Sequence, residues 1–322
     1  MPWFDMREAE LREYRIATAE PADLDAFWAC HLRSAREQAK PVELVRYSPE
    51  TYGDLQVFDV EFSGAGGDRI KGWYLRPAGG VAPLPVVVTF IGYGGGRGLP
   101  VEHTRLPATG LAQFVMDTRG QGGKWTVGAT GDSSAVGPAF PGVMTRGLSN
   151  PDDYYYTRLF VDAVRAVEEA AELPGVDPSR IGVAGGSQGG GLALAAAALS
   201  GDRVRVAQAD VPFLCDIQRG ITVGGQPPYT EVASFLSQHV DLVPQALDTL
   251  RYVDCALLAR RITARCLLSV GLMDEVCPPS TVYAAYHEIS APKELAVSPF
   301  GTHAVPSIQI ERGLSFLRTH LA

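Results

Sequence analysis

A chain of 322 residues with 46% hydrophobic and 20% charged residues is long enough to bury a sizeable core. Its formal net charge of −8 comes with no basic stripe, so partners that need clustered Lys and Arg, nucleic acids first among them, are not expected. The five cysteines (Cys30, Cys215, Cys255, Cys266 and Cys277) are odd in number and contain no C-x-x-C pair, which argues against a disulfide scaffold and against a zinc site.

Residues 1–50 read as a helical arm, because Leu24, Phe27, Trp28 and Leu32 recur at helical spacing. The charged N-terminus lacks the apolar core and small-residue cleavage site of a secretory signal. The longest apolar run, Leu192–Leu199, is far short of a membrane span. A cytoplasmic setting without membrane association is the expectation. Gln56–Phe62 and Arg69–Leu75 are β-rich and flank a Gly-rich turn, which predicts an antiparallel hairpin. From Val86 to Ile91, Val-Val-Val-Thr-Phe-Ile, the chain is a continuous β-branched run, as suits a strand buried on both faces of a parallel sheet.

Further buried strands are predicted at Gln113–Asp117, Arg180–Ala184, Val204–Ala209, Cys266–Gly271 and Glu294–Ser298. Helices fall between them: about Tyr156–Leu173, with Phe160, Val164, Val167 and Ala171 on one apolar face, then Gly189–Leu199, Pro279–Ile289 and finally Val305–Leu321. Alternation of this kind predicts one α/β domain over 1–322, with a mostly parallel central sheet flanked by helices. Two stretches fit the alternation poorly. Thr126–Asn150 reads as a long ordered loop, and residues 218–250 as a helical insertion where a lid is expected.

The densest chemical signal is Gly185-Gly-Ser187-Gln-Gly189 between a buried strand and an Ala-rich helix. A G-x-S-x-G turn at such a junction projects a serine hydroxyl above the sheet, and the helix N-terminus behind it favours negative charge. Ser187 is therefore the expected nucleophile of an acyl-transfer site. Of the six histidines, only His303 sits in a turn directly after the last strand. Asp274, after the preceding strand, is the expected orienting acid, with Asp210 and Glu275 as rivals. The order Ser187, Asp274, His303 is that of the α/β-hydrolase fold. An oxyanion hole needs two backbone amides, expected from Gln188 and from Tyr93 in the run Gly92-Tyr93-Gly-Gly-Gly-Arg-Gly98. That run is no dinucleotide fingerprint, and no phosphate loop or H-E-x-x-H pair is present, so neither cofactor nor metal is expected.

These segments resemble carbohydrate esterase family seven, the acetyl xylan esterases and cephalosporin C deacetylases. The resemblance runs over nearly the whole chain. It rests on Asp117-Thr-Arg119-Gly120-Gln121 with Trp125 following, Gly185-Gly-Ser187-Gln188-Gly189, Asp153–Val167, Asp210-Val-Pro-Phe213, and Ser269-Val-Gly-Leu-Met-Asp274-Glu-Val-Cys-Pro-Pro. It implies Ser187, Asp274 and His303 as triad, and Tyr93 and Gln188 as oxyanion residues. Trp125, Phe213 and Val276 would line the acyl pocket, and Arg119 and Gln121 would hold the loops around the nucleophile. It further implies deacetylation of small acetylated xylo-oligosaccharides and cephalosporins by a cytoplasmic ring-shaped hexamer. The chain departs from the family at Ala304, where a Glu is usual, which bears on loop geometry, oligomer contacts and acyl preference. A peptidase or amidase, a longer-acyl esterase, and a catalytically silent binding module are the competing readings.

Overall fold

The computed structural model describes residues 4–79, 83–134 and 141–322. The arm holds helices α1 (Glu8–Glu13) and α2 (Leu24–Glu37), yet it is not wholly helical, for it ends in a strand, β1 (Glu43–Arg46). Only Leu44 of these four residues is better than exposed, so no apolar alternation marks them. Backbone pairing makes β1 a strand: it runs antiparallel to β2 (Leu55–Ser63), from Glu43 opposite Glu61 to Arg46 opposite Phe58.

In chain order there follow β3 (Arg69–Pro77), β4 (Leu84–Phe90), α3 (Arg105–Ala108), β5 (Ala112–Met116), α4 (Tyr155–Glu172), β6 (Val176–Gly186), α5 (Gln188–Leu199) and β7 (Val204–Asp210). The segment read as an insertion becomes α6 (Ile217–Val223), α7 (Tyr229–Gln238) and α8 (Val243–Tyr252), with a short α9 (Cys255–Leu258) behind it. The chain closes with β8 (Arg265–Gly271), α10 (Pro279–Glu288), β9 (Lys293–Ser298) and α11 (Ser307–Leu321). Within the loop 126–150, no helix or strand forms in the described parts, 126–134 and 141–150; its centre lies outside the described residues.

The strands form one sheet in the order β1-β2-β3-β5-β4-β6-β7-β8-β9. The pairings from β1 through β3 to β5 are antiparallel, and those from β5 through β4 to β9 are parallel. This is the α/β architecture expected, and the β4 run shows why its apolar residues are continuous. Val86, Val88 and Phe90 face the core under α4 and α5, while Val87 faces the second core under α11. Both faces are covered, so apolar side chains appear on each, and the strand's one polar residue, Thr89, accepts from Gln113 at 3.1 Å. Among the described residues no helix is long and apolar enough to cross a membrane.

Helix α4 is buried almost all round rather than on one face. The arm is the reason: α2 lies over its outer side, with Trp28 stacked on Phe160 at 5.7 Å between ring centroids. The rest of the arm is pinned to α6 and α10. Asp5 accepts from Arg219 at 2.7 Å and from the Ser280 amide at 2.8 Å, and the Tyr14 hydroxyl donates to Asp216 at 2.7 Å.

One buried ion pair ties these layers together. Arg119, just past β5, has no exposed surface and grips Asp162 of α4 through Nε at 2.5 Å and Nη2 at 2.7 Å. It also reaches Asp68 at 3.0 Å and the Ala65 carbonyl at 3.4 Å, both in the turn between β2 and β3. Arg119→Met keeps much of the volume but strands a buried Asp162. We expect a loss of about 3–5 kcal/mol of stability, read from the urea denaturation midpoint. Arg119→Met/Asp162→Leu should recover much of that loss.

Candidate active site

The nucleophile turn is built from strain and small residues. Ser187 joins β6 to α5 with φ 56° and ψ −121°, a conformation that costs a non-glycine residue about 1–3 kcal/mol. A side chain on Gly185 would collide with the backbone of Gly189, and one on Gly189 with the Phe90 carbonyl, so the strand, turn and helix can close only with glycine at both places. The strained residue is clamped from both sides. Its N–H donates to the Asp210 carbonyl at 2.9 Å, and its carbonyl accepts from Phe213 at 2.9 Å and Gly191 at 3.0 Å.

Ser187 Oγ lies 2.9 Å from His303 Nε2, and His303 Nδ1 lies 2.8 Å from Asp274 Oδ2. A carboxylate only accepts, so its contact places the ring proton on Nδ1 and leaves Nε2 free to take a proton from the serine. Asp274 is fully buried, and its other oxygen accepts from the Val276 and Cys277 amides at 2.9 Å each. The rival Asp210 is engaged elsewhere. It accepts from Ser269 at 2.7 Å, Gln309 at 2.9 Å and Gln208 at 2.6 Å. Ala304 is exposed beside His303 and takes no part in this chain of hydrogen bonds.

The serine opens on a cavity of about 510 Å³ lined by Ile91, Tyr93, Trp125, Pro227, Pro228 and Val276, with His303 at the same wall. Trp125 and Val276 are thus where the resemblance puts them. Phe213 is not: it is fully buried one layer back, edge-on to Tyr229 at 4.5 Å and to Tyr93 at 6.5 Å. Its main chain, through the bond to Ser187, matters more to the turn than its ring does to the cavity. The two prolines that line the cavity instead come from the insertion, whose sequence carries no motif that marks them.

The amide of Gln188 is the first of α5, where N–H groups lack helical partners and the helix dipole is positive. Among the described residues, neither this amide nor that of Tyr93 donates to another protein group. The loops bearing them are laced together. Gln121 accepts from the Gly94 amide at 2.6 Å and donates to Tyr155 Oη and Gln188 Oε1, both at 2.9 Å. Tyr156 also donates to Gln188 Oε1 at 2.9 Å, and Tyr155 to the Arg119 carbonyl at 2.6 Å. Gln121 therefore holds the loops directly, and Arg119 one bond further out.

The sequence reading missed Glu231, whose carboxylate accepts from Tyr93 Oη at 2.7 and 2.9 Å. Burial pushes both the Tyr93 phenol and the Glu231 carboxyl above their ordinary values. Cys277 was also missed; burial drives its thiol well up, with Asp274 adding to the effect, so it stays protonated and is no competing nucleophile. Among the described residues, the one trio close enough to hold a metal is Asp274, Cys277 and His303. A protonated thiol and an imidazole already oriented by its carboxylate make a poor donor set.

A strained serine at a strand-to-helix turn, a histidine within its reach and a buried acid behind the histidine define a serine hydrolase of the α/β-hydrolase plan. The family model described as acetyl xylan esterase (AXE1) matches residues 1–320. The chain belongs to the acetyl xylan esterase family. It is similar to the acetyl xylan esterase from Paenibacillus sp. R4, with 34% identity, 98% of this chain and 100% of that one covered, and a TM-score of 0.91. Acetyl xylan esterase 1 from Thermoanaerobacterium sp. JW/SL YS485 is also similar, with 32% identity, 99% and 100% covered, and a TM-score of 0.91. A third relative is acetyl esterase Axe7A of Xylanibacter ruminicola, 29% identical over 293 residues; the match takes in 89% of this chain but 64% of that protein's length.

Asp274→Asn should present an amide to His303 and fix the wrong tautomer. We expect kcat for ester hydrolysis to fall by roughly 10⁴ with the circular dichroism spectrum unchanged. Asp210→Asn should do far less harm; the reverse pattern would reassign the acid.

Proposed function

We propose that the chain removes acetyl groups from small acetylated carbohydrates, xylo-oligosaccharides first, through an acetyl-serine intermediate. The observation that carries this is the unbroken run from Ser187 Oγ through His303 to buried Asp274, opening on a cavity in a member of this family. Ser187 Oγ attacks the ester carbonyl carbon as His303 Nε2 takes its proton, and Asp274 stabilises the imidazolium that forms. The oxyanion sits between the Tyr93 and Gln188 amides. Collapse expels the sugar hydroxyl, protonated by His303. Water, deprotonated by the same nitrogen, then attacks the acetyl-serine and releases acetate.

Acetyl esters of the cephalosporin type present the same carbonyl and leaving alkoxide, and belong to the same proposal. The rival readings weaken on the geometry: a silent binding module has no use for a strained serine already bonded to its base. Trp125, Val276 and the Pro227–Pro228 pair are bulky or rigid residues in the wall of the cavity that holds Ser187, which supports short acyl groups over long ones.

We place the protein in the cytoplasm, a reading supported by five cysteines that are all free. We also propose that it assembles as a ring-shaped homohexamer. Leu99, Val101 and Val127 support self-association, being apolar, well exposed and brought near one another by the bond from the Gly98 amide to the Val127 carbonyl. A ring with sites facing inward would admit small substrates only.

Three experiments follow. Ser187→Ala should lower ester hydrolysis by about 10⁶ without unfolding the protein. Across acetyl, butyryl and octanoyl p-nitrophenyl esters and an acetyl amide, kcat/KM should be highest for acetyl ester; a preference for octanoyl, or for the amide, would overturn the substrate reading. Light scattering coupled to size exclusion tests the assembly: a mass near 34.4 kDa at micromolar concentration would refute it.

A further inference from the structure

The oxyanion donor Tyr93 is held by its side chain as well as by its loop. Its hydroxyl donates to Glu231 Oε2 at 2.7 Å and Oε1 at 2.9 Å, and accepts from the Val143 amide at 2.8 Å. Its carbonyl accepts from Trp125 Nε1 at 2.9 Å. Glu231 belongs to α7, in the insertion between β7 and β8, and stands three residues after Pro228 of the cavity wall. The site has been shaped around that carboxylate. Gly142, at φ 123°, could carry no side chain without colliding with it, and the Met144 amide closes on Oε2 at 3.5 Å. Three segments distant in sequence, the oxyanion loop, the 141–144 strap and α7, therefore meet at one buried carboxylate.

We infer that Glu231 is a positioning residue for the oxyanion hole, fixing the Tyr93 backbone amide through the Tyr93 hydroxyl. The inference rests on the reading of that amide as an oxyanion donor. An amide pays off in the transition state only if it is already aimed where the negative charge develops; a donor free to swing must be reorganised at each turnover. The glycines at 92, 94, 95 and 96 leave the Tyr93 main chain little intrinsic stiffness, so the ring and its anchor supply what the loop lacks. The same anchor couples the hole to the insertion, because α7 carries Glu231 while the turn before it carries Pro227 and Pro228. A substrate that presses on the prolines acts on the element that aims the amide.

Glu231→Ala, Glu231→Gln, Tyr93→Phe and the double variant Glu231→Ala/Tyr93→Phe make the test, each checked for folding by thermal melt. The readouts are kcat and KM on p-nitrophenyl acetate and the inhibition constant of phenylboronic acid, whose serine adduct places an oxygen in the hole. Glu231→Ala and Tyr93→Phe should each lower kcat by about 10- to 100-fold, with KM near that of the parent. Boronate affinity should weaken by a similar factor. The double variant should be no worse than the poorer single one, because both remove the same link. Glu231→Gln, which keeps an acceptor for the tyrosine, should recover most of the loss. The inference is overturned if kcat and boronate affinity are unchanged in folded Tyr93→Phe or Glu231→Ala, or if the two losses multiply in the double variant. Should Glu231→Ala fail to fold, Tyr93→Phe, which removes a single oxygen, decides the matter alone. An active Ser187→Ala would undo the site reading itself, whereas an inactive Ser187→Ala beside unimpaired Glu231 variants would undo the positioning role only.

Discussion

Ser187 is held in a backbone conformation it would not choose, and much of the surrounding structure consists of what holds it there. Strain at one residue persists only where neighbours over-determine it. Here the neighbours are strained as well. Among the described residues five non-glycines have positive φ, and four of them are Ser187, Val211, Leu214 and Asp216. The last three lie in the segment leaving β7, which passes against the nucleophile turn. That segment is fixed along its length: Val211 donates to the Ser269 carbonyl, Phe213 to the Ser187 carbonyl, and Asp216 to Asp254, while the Leu214 carbonyl accepts from Cys255. The cost of the turn is thus spread over two adjacent chain crossings and offset by the hydrogen bonds that fix both of them.

Outside the sheet, a different economy operates. Gln121 and Gln188 form a side-chain amide bridge with Tyr155 and Tyr156 of α4, and every contact in it is buried or half-buried. A network of this kind specifies one arrangement when all its members are satisfied, and is costly when one is lost. It explains why the segment after β5 carries both an arginine and a glutamine. Arg119 anchors its start against α4 and the β2–β3 turn. Gln121, two residues on, then reaches the oxyanion loop and the first residue of α5. The ion pair fixes where the loop leaves the sheet, and the amide bridge fixes where it arrives.

What the sequence makes legible follows from this division. The triad is readable because each member follows a strand that the sequence predicts: Ser187 after β6, Asp274 after β8, His303 after β9. Parallel strands place their C-terminal ends at one edge, so chain order almost determines the meeting point. β1 is illegible because it owes its extended form to pairing with β2 rather than to its own four residues. Phe213 was assigned to the cavity because its segment matches the family, but matching a segment does not say which of two layers a ring occupies. Glu231 is illegible for a stronger reason. It acts on Tyr93 across 138 residues of sequence, from an insertion whose helices show neither strand signal nor motif.

The chemistry is therefore assembled from parts with different tolerance for change. The nucleophile, base and acid follow strands of the sheet, and for β6 and β8 the packed residues fix the strand so that a shift would unpack the core. The other half of the site, Tyr93 and its surroundings, rides on loops and on an insertion, joined by side-chain contacts to Trp125, Gln121 and Glu231. Loop-borne contacts can be altered singly without disturbing the core. Ala304 fits the same division: it is exposed, in the loop beyond β9. Substitutions that tune which ester is accepted should accumulate in the insertion, the 121–127 segment and the loop around residue 304, because there the cavity wall can change while the strand ends that carry Ser187, Asp274 and His303 stay where the sheet puts them.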